Sequence, residues 1–247
     1  MAGENDFSRN NISQSPVPTQ IVGEDDSVPV VDNSMAPFNA ICAIYGMNGD
    51  GTKRLFHGTG WLVTPFYVVT AAHVVTKKAD GMRVPVSESS LRLYFESRIR
   101  LEASSFLSVE EISIYGPYLE NSAVQNDIAI LRIEQVDHSA RDHLILHNTT
   151  DQIVGNEVMS AGYPDNKDHG FQMYSSLDII ERIDECVIRH KVDTYEGQSG
   201  SPLILSNGGY RVVGVHTKGF DSEALNRGCL IYGEVKIWLE QHIAGRA

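Results

Sequence analysis

The chain has 247 residues, 42% hydrophobic and 21% charged, a balance that supports a sizeable core and excludes a disordered or collagen-like polypeptide. Its 32 acidic against 20 basic residues leave a net charge of −12, which speaks against nucleic-acid binding, since phosphate contacts need clustered Lys and Arg. No apolar run reaches the roughly 18 residues of a membrane helix.

Residues 1–36 are polar and carry six acids (Glu4, Asp6, Glu24, Asp25, Asp26, Asp32) against one base, Arg9. Residues 1–20 have too little apolar surface to order themselves and read as a loose tail or propeptide. They lack the basic start and apolar stretch of a secretory leader, so the expectation is a cytoplasmic protein, or a secreted one if a leader has been removed. From Ile21 the segment gains apolar residues that can lie along the body. After Pro37 short apolar runs alternate with turn residues, the pattern of an all-β sandwich or barrel. Strands are expected at 40–45, 58–63, 67–71, 91–95, 128–132, 157–161, 185–192, 202–205, 211–215 and 230–232, where Val, Ile, Tyr and Thr dominate. The stretch Asn121–Gln125 and the polar region His138–Asp151 are expected to link two halves. Val235, Trp238, Leu239 and His242 fall on one face of a helix, which closes the chain at about 234–243.

Cys42, Cys186 and Cys229 are too few for a disulfide framework and too scattered for a zinc site. Reduced thiols are expected, and whether any pair bridges is left open. The histidines show no metal-ligand spacing. His57, His138, His143, His147, His169, His190 and His242 read as surface or loop residues, so neither metal nor organic cofactor is expected.

Three short motifs carry chemistry in combination. In Val69-Thr70-Ala71-Ala72-His73 an apolar strand runs into two small residues that let the backbone turn and set an imidazole at the strand's end. In Asn126-Asp127-Ile128-Ala129-Ile130-Leu131 an acid stands at the mouth of an apolar strand, where a carboxylate drawn inward must find a partner. In Gly197-Gln198-Ser199-Gly200-Ser201-Pro202 glycines flank a serine and permit unusual backbone angles. Each alone reads first as a loop or turn. Together they give the order His73, Asp127, Ser199, the chain order of the chymotrypsin triad and not of the subtilisin or α/β-hydrolase triads. His73 and Asp127 fall in the first half and Ser199 in the second, which suits a cleft between two barrels.

On these residues the sequence resembles the chymotrypsin-like serine proteases, and within them the bacterial and fungal glutamyl endopeptidases. Further likeness lies in Ile21-Val22-Gly23 with Asp25-Asp26, Pro37-Phe38-Asn39-Ala40-Ile41, Gly162-Tyr163-Pro164 with Lys167, Asp193-Thr194-Tyr195-Glu196, Val215-His216-Thr217-Lys218-Gly219 and Asn226-Arg227-Gly228. The resemblance implies two six-stranded antiparallel β-barrels, at about 37–125 and 150–233, followed by the helix, in one protease domain over 21–247. It implies peptide-bond hydrolysis by Ser199 with His73 as base and Asp127 as its orienter, and an oxyanion hole from the amides of Gly197 and Ser199. A monomer acting on protein or peptide substrates is expected.

Selectivity is less uniform. Asp193 lies six residues before Ser199, where trypsin-like enzymes place the acid that selects Lys or Arg. His216 and Thr194 stand where the resemblance to glutamyl endopeptidases implies groups that bind a substrate carboxylate, and Thr217, Gly219 and Asp193 complete the pocket wall. Cleavage after Glu or Asp is the favoured reading. Gln198 replaces the acid that in many relatives pairs with a freed N-terminus. In the glutamyl subgroup the new amine instead helps bind substrate, so the Gln20–Ile21 bond is expected to be the processing point of a zymogen, with Ile21 at the pocket. Two other readings compete: a trypsin-like or narrow-target intracellular protease, and a catalytically silent protease-like binding module.

Overall fold

The computed structural model of the protein describes residues 21–134, 141–148, 153–219 and 224–244. His138 and both ends of the expected polar link, residues 138–140 and 149–151, lie outside them. Among the described residues sixteen strands run in chain order: β1 (Val28–Pro29), β2 (Ile41–Met47), β3 (Arg54–Thr64), β4 (Tyr67–Thr70), β5 (Thr76–Ala79), β6 (Met82–Pro85), β7 (Leu91–Tyr94), β8 (Leu107–Ile114), β9 (Ala129–Ile133), β10 (Ile145–Leu146), β11 (Glu157–Gly162), β12 (Tyr174–Asp184), β13 (Val187–His190), β14 (Pro202–Leu205), β15 (Arg211–Lys218) and β16 (Asn226–Leu230). A short helix α1 (Gly116–Asn121) precedes β9, and α2 (Gly233–Ala244) ends the described chain.

Two closed antiparallel barrels of six strands result. The first takes the order β2-β3-β4-β9-β8-β7 and closes β7 onto β2. The second takes β12-β11-β14-β15-β16-β13 and closes through β13 onto β12. Closure pairs every strand on both sides and removes the exposed edges that an open sheet presents. The first barrel runs through Ile133, so Asn121–Gln125 lies inside it, in the crossing between β8 and β9, and is not the link between halves.

The first barrel is filled by Ile41, Ile44, Trp61, Leu62, Leu93, Ile130 and Leu131, all essentially without exposure. Val158, Ile180, Ile188, Val192, Leu203 and Val213 fill the second. β2 is buried along its whole length, because one face lines its own barrel and the other meets neighbouring structure. β1 adds to β12 beside Tyr174 and Ser175, carrying the N-terminal segment onto the second barrel. On α2, Val235 and Leu239 are buried, and the Trp238 ring meets that of Tyr115 edge-on at 5.5 Å. No helix among the described residues is long and apolar enough to cross a membrane.

Candidate active site

His73 is presented as the sequence pattern predicts. β4 delivers the chain to Ala71 and Ala72, both fully buried, and a single 3-10 turn (Ala72–Val75) follows. The two alanines leave no bulk between this turn and the barrel. Asp127 comes from another 3-10 turn (Val124–Asn126), directly before the apolar entry into β9, and is wholly buried. Its two carboxylate oxygens serve one residue. Oδ1 accepts the backbone N–H of His73 at 2.9 Å and Oδ2 lies 2.8 Å from His73 Nδ1. A carboxylate only accepts, so Nδ1 carries the proton and Nε2 is left with its lone pair.

Ser199 sits in the turn before β14 and is partly exposed. Its carbonyl accepts the N–H of Thr59 at 2.8 Å, and the N–H of Gly200 donates to the carbonyl of His216 at 2.8 Å. A Cβ on Gly58 would stand 3.2 Å from that Ser199 carbonyl and 2.5 Å from Val74, the neighbour of His73. The Ser199 backbone and the turn that carries His73 therefore both pack against Gly58 of the first barrel. Gly197 and Gly200 both have φ near +92°, where a side chain is strained. A Cβ on Gly197 would also meet His57 Nε2 at 2.0 Å and the Tyr163 carbonyl at 2.4 Å. Among the described residues, no hydrogen bond uses the N–H of Gly197 or of Ser199.

Of the residues expected to form the pocket, His216 and Thr217 lie on β15 of the second barrel, Asp193 and Thr194 on the connection between β13 and the Ser199 turn, and Gly219 directly after β15. Thr194 is buried and its hydroxyl has no partner among the described residues. His216, on β15, is buried, and its Nδ1 lies 3.3 Å from Nε2 of His190 on β13. The register explains the pair: His190 is opposite Asn226 and His216 opposite Gly228, two residues apart on the same strand, β16. Burial drives the His190 imidazole down to about 3. Burial also holds His216 well below the ordinary imidazole range, helped by His190, His73 and the Arg227 guanidinium. Both rings are thus neutral at pH 7. Thr217 is buried and donates to the carbonyl of Arg227 at 3.2 Å, while Arg227 reaches the Gly219 carbonyl at 3.4 Å.

Asp193 does not offer a free carboxylate. Its Oδ1 accepts the N–H of Val22 at 2.8 Å and its Oδ2 the N–H of Asp26 at 3.1 Å. Burial raises its pKa against those two hydrogen bonds. The same N-terminal segment is held by Lys167, which pairs with Asp25 at 2.6 Å, bonds Ser27, and lies over the Tyr174 ring at 4.9 Å. Ile21 is half-buried, one residue from the contact with Asp193. All three cysteines are free, and Cys229 donates to the Gln125 carbonyl beside Asp127. Among the described residues no cluster of His, Cys, Asp or Glu is arranged to hold a metal ion.

Sequence reasoning missed four features. His57, expected at the surface or in a loop, lies on β3 with its ring enclosed beside Gly197. His190, under the same expectation, is buried beside His216. The alternation Ile188, His190, Val192 on the buried face of β13 and its extension is the signal that finds it. Thr59 makes the bond that ties the two barrels at Ser199, and the capping of Asp193 by backbone amides has no residue-type signature.

Comparison with known proteins agrees with this geometry. The family model of the trypsin-like peptidase domain matches residues 58–215. The glutamyl endopeptidase of Bacillus licheniformis is 27% identical over 224 residues, 87% of this chain, which spans 66% of that relative's length, just under two thirds. A protein of Bacillus subtilis named extracellular metalloprotease is 22% identical over 97% of this chain and 75% of its own. Among solved structures, a Glu endopeptidase in complex with MPD superposes with a TM-score of 0.77 at 21% identity, over 91% of this chain and all of that one. The scabies mite inactivated protease paralogue S-D1 superposes at 0.63 with 16% identity, over 85% and 94%. The two barrels, the His73–Asp127 pair and the matched family model converge on one assignment: the chain belongs to the trypsin-like peptidase family and has the fold of the chymotrypsin-like serine proteases.

Proposed function

We propose that this protein is a serine endopeptidase that cleaves after Glu or Asp through an acyl-enzyme. The observation that carries the catalytic half is the wholly buried Asp127, which spends both oxygens on His73 and sets its tautomer. Ser199 Oγ attacks the substrate carbonyl while His73 Nε2 takes its proton, and His73 then returns that proton to the leaving amine. Asp127 stabilises the imidazolium formed in between. The unused amides of Gly197 and Ser199 receive the developing oxyanion.

The acidic selectivity rests on the partnerless Thr194 hydroxyl and on the His190–His216 pair. A carboxylate leaving water needs donors, and a buried hydroxyl without a partner is one waiting to be used. Two neutral imidazoles share one hydrogen bond, so one donates to the other. When His190 donates, the second nitrogen of His216 carries a proton for the substrate, with the Arg227 charge nearby. Asp193, capped by Val22 and Asp26, is not available to a Lys or Arg side chain. Processing at Gln20–Ile21 belongs to the same reading, and the bond from Val22 to Asp193 supports it by holding the residue after Ile21 against the proposed pocket wall. Thr217 and Gly219, both bonded to Arg227, complete the proposed wall.

Mass-spectrometric profiling of cuts in a peptide library tests both halves together. Cuts after Glu or Asp that vanish in Ser199→Ala and weaken in His216→Leu support the proposal. Absence of any cut, with no labelling of Ser199 by a fluorophosphonate, identifies a silent binding module instead. Cuts after Lys or Arg refute the acidic selectivity alone. Equal rates for the full chain and a form starting at Ile21 refute the zymogen.

A further inference from the structure

The turn that carries Gly197 and Ser199 is gripped by one residue of the first barrel, through both its main chain and its side chain. Thr59 lies on β3, is wholly buried, and uses every polar group it has. Its N–H donates to the Ser199 carbonyl at 2.8 Å, and its carbonyl accepts from Thr70 Oγ1 at 2.7 Å. Its hydroxyl accepts the N–H of Tyr163 at 3.2 Å and donates to the Gly197 carbonyl at 2.9 Å. The direction is fixed, because an amide N–H only donates and a carbonyl only accepts. The packing is close: a Cβ on Gly162 would lie 2.7 Å from Thr59 Oγ1, and one on Gly200 would lie 2.0 Å from the Thr59 carbonyl.

In a planar trans peptide the N–H points opposite to the C=O of the same unit, so holding one aims the other. The Gly197 N–H shares its unit with the Glu196 carbonyl, which accepts the N–H of Asp165 at 2.7 Å. The Ser199 N–H shares its unit with the Gln198 carbonyl, which accepts the N–H of Ser201 at 3.0 Å. The unit between them is held at the Gly197 carbonyl by Thr59 and at the Gln198 N–H by the Tyr195 carbonyl, at 3.0 Å. Tyr163, the hydroxyl's other partner, begins the turn that carries Asp165. One oxygen thus ties the turn that aims the Gly197 amide to the peptide separating the two donors. Gly197 is itself free to take several backbone conformations, and the bonds within the turn hold the Gln198 peptide but not the Gly197 carbonyl, which Thr59 restrains from outside.

We propose that Thr59 is a positioning residue of the oxyanion hole: its hydroxyl keeps the Gly197 and Ser199 amides convergent before substrate arrives, and it touches no substrate. The proposal rests on those two amides being the hole. Preorganised donors stabilise the transition state because no reorientation is needed during reaction. Losing the Thr59 hydroxyl therefore lowers kcat and spares ground-state binding.

The test compares wild type with Thr59→Val, Thr59→Ser and Thr59→Cys. It measures kcat, KM, and affinity for two inhibitors, a peptide aldehyde matching the best library substrate and the same peptide as a free acid. Thr59→Val is expected to lose about 10- to 100-fold in kcat, with KM changed by less than about threefold; removal of a whole donor costs about 10²–10³. Aldehyde affinity should fall in parallel, since its adduct places an oxygen in the hole, while acid affinity stays. Thr59→Ser should recover most of kcat. A Thr59→Val enzyme with wild-type kcat overturns the proposal, as does one that loses kcat and acid affinity together. If Thr59→Val does not fold, Thr59→Cys decides: reduced kcat at unchanged KM, beside a near-normal Thr59→Ser, supports the role, and wild-type kcat overturns it. An unreactive wild type ends the catalytic reading and this proposal with it, whereas an active wild type beside an unaffected Thr59→Val ends this proposal alone.

Discussion

Asp127 shows what a single buried charge costs and earns at the residue scale. A carboxylate with no exposure is tolerable only when its oxygens are engaged, and here both are engaged by His73. Asp127→Asn presents an amide whose NH2 cannot accept the Nδ1 proton, so the imidazole turns to the wrong tautomer. Turnover is expected to fall by about 10⁴ while the melting temperature moves little, measured by steady-state kinetics beside thermal unfolding. Thr194 gives the opposite combination. Its hydroxyl is buried and partnerless, so Thr194→Val removes a desolvated polar group that gains nothing in the free protein. Stability is expected to hold or rise by ~1 kcal/mol. The kcat/KM for Glu substrates, relative to Gln substrates, is expected to fall about 10-fold or more, because a carboxylate then loses a donor. A substitution that stabilises the fold and damages selectivity separates a binding residue from a packing residue. The triad was legible because three residue types recur in one order. His190 was legible only through alternation along a short strand, and its type alone suggested the surface.

At the scale of elements, strands with clean apolar runs, such as Pro202–Leu205, were legible to the residue, and the missed ones have physical reasons. β8 carries Glu110 and Glu111 side by side, which breaks the expected alternation. A register shift between Val109 and Glu111 accommodates both, and Arg132 pairs with them at 2.6 and 3.6 Å. β12 is long and polar on its outer face, and it changes partner midway, from β11 to β13, through another shift at Ile180. β16 was expected at 230–232 and forms at Asn226–Leu230, because β13 and β15 supply ladders on both sides of a stretch with little intrinsic preference. The segment 21–27 is held chiefly by polar contacts: two amides on Asp193, the Ser176–Asp26 bond at 2.7 Å and the Lys167–Asp25 pair. Few buried apolar contacts mean a low local opening energy. Lys167→Met is therefore expected to speed hydrogen exchange at the amides of Val22 and Asp26 while the amides of β2 and β3 keep their protection. Exchange measured by mass spectrometry on peptides from the two regions checks this, and equal acceleration in both would show that Lys167 supports the whole body.

At the scale of the molecule, the fold by itself settles little about chemistry. An inactivated protease paralogue superposes on the same barrels, so activity has to be argued from the site. What the double barrel does impose is a set of imidazoles enclosed between or within the barrels. His57 lies beneath Gly197, and burial, with the Arg54 charge, lowers it to about 4 against the Asp165 carboxylate. His190 is lowered to about 3 by burial, and His216 is lowered well below its ordinary value by burial and its charged neighbours. In the unfolded chain all three take up a proton near pH 6.5. Folded, they stay neutral far below it. The unfolded state therefore binds more protons than the native state across the interval from about pH 6.5 down to the folded values, and stability falls as pH falls through it. The contribution is complete above pH 6.5 and is lost progressively toward pH 4 for His57 and toward pH 3 for His190. Each group adds a slope of roughly 1 kcal/mol per pH unit well inside its window. Urea unfolding midpoints at pH 7, 6, 5 and 4.5 are expected to drop steeply, and His190→Leu should flatten the curve by close to one proton even if it lowers stability at pH 7. A His190→Leu curve parallel to wild type below pH 6 would mean that His190 protonates equally in both states, contrary to its enclosure in the core.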